Sequence, residues 1–127
     1  MKAKPLAIFA LIAAFGATSA FADDHVVGTG TFTGKSDHET SGTVTVEKTD
    51  AGYVLKLGGD FKFDGAPDPK LAFGKGGYKK DTLFTKLTKN EGAQTYTLPK
   101  NIDPTKYDEV WLWCEKFNVP LGLAPLK

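Results

Sequence analysis

The sequence predicts an all-β fold, an antiparallel β-sandwich built as a single domain after an N-terminal signal peptide. Three observations carry this reading. Short segments of alternating polarity recur about every ten residues. Glycine, proline, asparagine and aspartate separate them, and no stretch keeps a helical apolar period over three turns. The chain has 127 residues, of which 41% are apolar and 24% charged, a balance that suits one globular core and argues against disorder.

The leader is set aside first. Lys2 and Lys4 precede an apolar run from Leu6 to Ala17, and Ala20-Phe21-Ala22 supplies an A-x-A cleavage pattern. The run, about 12 residues, is short for roughly 30 Å of hydrocarbon, so residues 1–22 read as a signal peptide cleaved after Ala22, with a cut after Ala20 as the alternative. No later segment is apolar enough to cross a bilayer. Residues 23–127 are therefore expected to form an exported domain, periplasmic or secreted, with no transmembrane anchor in the mature chain.

The strands follow in order. Val27 to Thr33 opens the domain. Gly42 to Lys48 alternates Thr43, Thr45 and Glu47 against Val44 and Val46, and the turn Thr49-Asp50-Ala51-Gly52 leads into Tyr53 to Leu57, a hairpin signature. Further strands are expected at Asp60 to Asp64, Leu71 to Phe73, Thr82 to Leu87, Gln94 to Leu98, Glu109 to Cys114 and Phe117 to Leu121. Two loops break the pattern: Asp64 to Pro69, whose prolines exclude a central strand, and the glycine- and lysine-rich Gly74 to Lys80. Asp103-Pro104 reads as a capped single helical turn.

Charge excludes one class of function. All 16 basic residues are lysines, so the planar forks that read guanine or grip phosphate are missing, and the mature chain is close to neutral. No nucleic-acid partner is expected. A single cysteine excludes an internal disulfide framework and any zinc set that needs two thiols.

That cysteine is the chief candidate. In Val110-Trp111-Leu112-Trp113-Cys114, alternation puts Val110, Leu112 and Cys114 on one face and both tryptophans on the other, together with Glu109 and Glu115. Cys114 then points inward, where a thiol is commonly an inert small hydrophobe. The rival reading is a functional thiol, since an unpaired cysteine in an exported protein risks oxidation that valine would avoid. Its natural partner is histidine, and only His25 and His38 exist. A blue-copper centre is excluded by the missing mature methionine and by the lack of histidine after Cys114.

Other motifs dissolve on inspection. His38 lies in the polar loop Ser36 to Gly42, where it is either a turn imidazole or a partner for Cys114. Gly34-Lys35-Ser36 has Thr29 where a phosphate loop needs glycine. Asp60, Asp64 and Asp68 are spaced by four rather than the two of a calcium loop, and read as turn caps. Cleavage after Ala22 would expose Asp23-Asp24-His25, whose amine, two amides and His25 imidazole could wrap Cu(II) or Ni(II).

Taken together, these motifs resemble the DM-thirteen domain family over nearly the whole mature chain. Gly30, Phe32, His38, Ser41-Gly42, Val44, Val46, Leu55, Leu57, Asp60-Phe61, Asp64 and Pro67-Asp68 carry the resemblance in the first half. Leu87, Gly92, Gln94, Tyr96, Leu98-Pro99, Tyr107, Val110, Trp113-Cys114, Phe117, Val119, Gly122, Ala124 and Leu126 carry it in the second. Leu121 departs from the pattern, which has an aromatic before the glycine. The resemblance implies an electron-transfer role in which Cys114 acts as a bare thiol or as ligand to a prosthetic group such as haem; the residues themselves add His38 as a candidate partner and copper as a further candidate group. Haem attachment through C-x-x-C-H is excluded, because it needs a second cysteine.

The expectation is an exported accessory domain, rather than a self-sufficient enzyme, that exchanges electrons with an extracytoplasmic redox partner through Cys114. The alternative is a binding or interaction module without a redox centre. It would use Trp111, Trp113 or Tyr78 against a sugar, lipid or protein, and Cys114 would be core packing.

Overall fold

A computed structural model of the protein describes residues 25–127. The leader and Asp23-Asp24 lie outside them. The described chain is all-β and antiparallel throughout: β1 (His25–Thr31), β2 (Thr33–Gly34), β3 (Thr40–Ser41), β4 (Thr43–Thr49), β5 (Gly52–Leu57), β6 (Lys62–Phe63), β7 (Pro69–Gly74), β8 (Thr85–Lys86), β9 (Gln94–Thr97), β10 (Glu109–Cys114) and β11 (Val119–Pro125). One sheet runs β1-β4-β5-β9 and the other β2-β11-β10-β7-β8, and the short pair β3-β6 stands beside them.

Side-chain alternation decides which faces meet. Val44 pairs with Leu57, and Val46 with Leu55, which in turn faces Tyr96, so one face of the first sheet is continuously apolar. From the second sheet Leu71, Phe73, Val110, Leu112 and Ala124 join the same buried cluster. Val44, Val46, Leu55, Leu71, Val110 and Leu112 are each 0% exposed, and each such side chain contributes about 1.5–3 kcal/mol of burial.

The hairpin β4–β5 and the strand Glu109 to Cys114 form as the sequence predicts. Four expectations need correction. The strand expected from Asp60 to Asp64 shrinks to Lys62–Phe63, because Asp60 turns back to accept hydrogen bonds from the Thr43 amide and hydroxyl, both at 2.9 Å. Pro69 was expected in a loop, yet it begins β7; as the first residue it needs no ladder donor on its nitrogen, and its carbonyl accepts from the Leu87 N–H.

The expected strand Thr82 to Leu87 is replaced by a 3₁₀ turn, Lys80–Thr82, followed by the two residues of β8. Thr82 forms no ladder there. Its hydroxyl instead accepts from the Phe73 N–H at 2.7 Å and faces the Phe73 and Lys79 carbonyls, finishing an edge that β8 is too short to cover. The last strand starts at Val119 instead of Phe117, since Asn118 adopts φ 56° and closes the turn from Glu115. The turn predicted at Asp103-Pro104 is present, with the Asp103 side chain accepting from the Thr105 amide.

One irregularity joins the sheets' edges. Leu112 faces Gly122, but Trp113 faces Pro120, so Leu121 is an extra residue in β11. Its carbonyl faces the β2 side and accepts from the Lys35 N–H at 3.0 Å and from the Thr40 hydroxyl at 2.9 Å. Among the described residues, no helix is long and apolar enough to cross a membrane.

Candidate functional site

Cys114 closes β10 with its side chain turned into the core, as alternation predicts, and is 1% exposed. It faces Pro69 on β7 and Val119 on β11, and it belongs to the same apolar cluster as Leu71 and Leu121. Such a position shields the sulfur from bulk oxidants and from other thiols.

The opposite face of β10 carries aromatic chemistry. Trp111 faces Ala72 and Trp113 faces Lys70 across the β7 ladder. Tyr78 comes from the loop after β7, where Gly76 at φ 67° and Gly77 at φ 133° fold the chain back over the sheet in conformations only glycine adopts without strain. Its ring stacks on Trp113 with centroids 3.7 Å apart and planes 8° apart, and Trp111 meets Trp113 edge-on at 5.8 Å and 76°. Under this lid Ala72 is 0% exposed, although it lies on the face turned away from the core.

Hydrogen bonds lock both indoles. Trp111 Nε1 donates to Glu109 Oε1 at 3.0 Å, and the same oxygen accepts from the Gly77 N–H at 2.9 Å, pinning the Tyr78 loop. Trp113 Nε1 donates to Asn118 Oδ1 at 3.1 Å. Lys70 pairs with Glu115 and approaches Asp68 at 3.7 Å. Burial in the cluster, with the Glu115 charge nearby, raises the Tyr78 phenol above its ordinary value and keeps it protonated.

His38 has a partner of its own. The type I′-like turn Lys35–His38 holds Ser36 and Asp37 at φ 57° and 66° and delivers the imidazole beside Phe63, with ring centroids 5.6 Å apart. His38 Nδ1 lies 2.8 Å from Asp64 Oδ1, while Asp64 Oδ2 accepts from the Glu39 N–H at 3.0 Å. The His38 bond, then the Glu39 amide, hold the Asp64 carboxyl below the usual range. An ionised Asp64 fixes the proton on Nδ1 and leaves Nε2 as the open nitrogen. No hydrogen bond joins His38 to Cys114.

The remaining candidates are also placed. Asp60 and Asp64, expected as turn caps, instead accept from the amides of Thr43 and Glu39, 17 and 25 residues away, whereas Asp68 flanks Lys70. His25 is exposed at the start of β1, but a copper site there needs residues 23 and 24, which lie outside the described residues. Among the described residues, no three or more of His, Cys, Asp and Glu gather as a metal set. A haem or copper centre on Cys114 would need the sulfur open to the group and further donors around it. A 1% exposed thiol in an apolar cluster does not fit either.

Sequence reasoning placed Cys114 and both tryptophans correctly about β10 but missed the roles of Glu109, Asn118, Asp64 and the Tyr78 stack. Only the shared face of Glu109 and Trp111 was visible in the alternation. Neither the curated proteins nor the solved structures contain a match to the chain. The family model described as Electron transfer DM13 matches residues 31–126, from the end of β1 to just past β11. That match takes in β10 with Cys114, the aromatic face and the His38–Asp64 pair, and the chain belongs to the Electron transfer DM13 family.

Proposed function

We propose that this domain is exported and passes single electrons to and from an extracytoplasmic redox partner protein, with Cys114 as its bare redox thiol. The observation that carries the reading is the position of the chain's one thiol, 1% exposed and covalently next to Trp113 on the outer aromatic face, in a member of an electron-transfer family. In the forward step the S–H bond breaks: the electron goes to a one-electron acceptor on the partner, the proton goes to solvent reached by local opening at the end of β10, and a thiyl radical remains. The reverse step restores the thiol. Burial protects that radical from meeting a second thiol, so the sulfur can cycle without forming a disulfide. The domain is an accessory carrier rather than a self-sufficient enzyme.

His38, oriented by Asp64, is the second candidate group and would tune or dock the partner through Nε2. His25 would bind Cu(II) or Ni(II) only in a chain beginning at Asp23, and its replacement by alanine should then abolish that binding.

The test uses protein exported into, and purified from, a periplasm. Its intact mass should correspond to residues 23–127 with a reduced thiol, and hexachloroiridate(IV), a stronger one-electron oxidant that takes its electron at the outer aromatic face, should be consumed faster by wild type than by Cys114→Ser or Cys114→Ala. A retained leader overturns the export reading. Equal oxidant consumption by wild type and both variants overturns the role of Cys114. The second reading, a binding module on Trp111, Trp113 and Tyr78, is favoured by the outward placement of those rings. It predicts ligand-dependent tryptophan fluorescence that Cys114→Ala leaves unchanged.

A further inference from the structure

We infer that the Trp111–Glu109 pair, with Trp113 and Tyr78 stacked beside it, is the surface terminal of the electron path, where oxidation of Trp111 is coupled to transfer of its indole proton to Glu109. The inference rests on the electron-transfer reading above and deepens it by assigning the group that meets the partner's acceptor.

The two indoles differ in one respect that decides their chemistry. An oxidised indole is a strong N–H acid, and the fate of its proton depends on the acceptor already hydrogen-bonded to it. Trp111 Nε1 faces a carboxylate at 3.0 Å, within reach for direct transfer, whereas Trp113 Nε1 faces the Asn118 amide oxygen, a far weaker base. Trp111 can therefore lose an electron and a proton together, while Trp113, with no base at its N–H, is first oxidised to a cation. Tyr78 covers Trp113 face to face at 3.7 Å, and Trp111 touches it edge-on, so the three rings form a contiguous set. Trp113 is also joined to Cys114 through a peptide bond, which gives the inward thiol a covalent route to the outer face.

A strongly oxidising one-electron acceptor on the partner takes an electron from Trp111 and is reduced by one. The indole N–H bond breaks, its proton passes to Glu109, and a neutral indolyl radical remains beside a carboxylic acid. Refilling reverses this: Cys114 supplies the electron through Trp113, its S–H proton leaves to solvent on local opening at the end of β10, and Glu109 returns the indole proton.

Both tryptophans of the chain lie in this cluster, so any tryptophanyl signal originates there. The experiment is flash oxidation of the purified protein with photogenerated tris(bipyridine)ruthenium(III), followed by transient absorption. Wild type and Trp113→Phe should give the neutral indolyl radical with no cation before it. Glu109→Gln, which keeps a hydrogen-bond acceptor for Trp111 and Gly77, should show the indole cation first, and so should Trp111→Phe. Thermal unfolding of each variant confirms that the lid remains folded. A cation precursor in wild type equal to that in Glu109→Gln overturns the inference.

Cys114→Ser separates the two proposals. A radical that outlives the wild-type one by an order of magnitude supports the whole path. An unchanged lifetime with the Glu109 effect intact overturns the role of Cys114 and supports the aromatic terminal on its own.

Discussion

Replacing Thr82 by valine tests whether a single buried hydroxyl finishes the edge of the functional sheet. Thr82 is 1% exposed, and its Oγ1 is the hydrogen-bond partner of the Phe73 N–H, at 2.7 Å, in a strand residue that is itself 0% exposed. Valine keeps the shape and removes the oxygen. The Phe73 carbonyl retains the Lys79 N–H at 3.1 Å, so one buried donor is orphaned, at a cost of about 1–3 kcal/mol. For a domain of about this size each kcal/mol lowers the melting midpoint by about 4–8 °C, so Thr82→Val should melt about 4–24 °C below wild type.

Thr82→Ser is the control: it keeps the hydroxyl and loses one buried methyl, a cost of about 1 kcal/mol. The assay is thermal and urea unfolding of both variants with amide hydrogen exchange at Phe73, which should be protected in wild type and Thr82→Ser and fast in Thr82→Val. If Thr82→Ser proves the more damaging, or if Phe73 stays equally protected in Thr82→Val, the reasoning is refuted. Because Thr82 also faces the Lys79 carbonyl, its loss should loosen the loop that carries Tyr78 and shift tryptophan emission.

Three further outcomes are expected. Gly74→Ala should break the aromatic lid, since an added Cβ would overlap the Gly77 carbonyl and Trp111 Nε1 and come within 2.7 Å of Glu109 Oε1; near-ultraviolet circular dichroism should lose its tryptophan bands while far-ultraviolet strand signal persists. Cys114→Ser should cost about 1–3 kcal/mol through a buried hydroxyl with no partner, and more than Cys114→Ala if the serine cannot reach a backbone acceptor; chemical denaturation orders the two. The Thr43 amide, then its hydroxyl, hold Asp60 low, and the His38 bond, then the Glu39 amide, hold Asp64 low. These folded values lie below the unfolded value of about 3.9, so their stabilisation is complete above that pH and drains as pH falls through the folded values. Urea midpoints in Asp60→Asn/Asp64→Asn should consequently depend less on pH in this acid range than those of wild type, and equal slopes would contradict the assignment.

The residues that were legible in the sequence are those whose neighbours are decided by alternation. β10 was readable from end to end because Val110, Leu112 and Cys114 face a core while Glu109, Trp111 and Trp113 do not. The hairpin β4–β5 was readable because turn residues and two valines agree on one register. Contacts made by chain reversals were not readable. Tyr78 reaches Trp113 only because two glycines at positive φ bend a loop across the sheet, and His38 meets Asp64 across a separation of 26 residues. Thr82 looked like a strand residue because its β-branch favours extended chain, yet its hydroxyl substitutes for a missing strand. The family resemblance, by contrast, was visible in scattered positions throughout both halves, and the match over residues 31–126 spans them.

The extra residue at Leu121 ties three chain segments to one carbonyl. Its carbonyl moors the turn that presents His38 and the strand that leads into Ser41, while its neighbours on either side remain zipped to Leu112 and Trp113. Displacing the Lys35–His38 turn would strip the Lys35 donor from that buried carbonyl and leave it the Thr40 hydroxyl alone, a loss of about 1–3 kcal/mol. The position of the imidazole is thus tied to the strand that pairs with the one ending at the thiol.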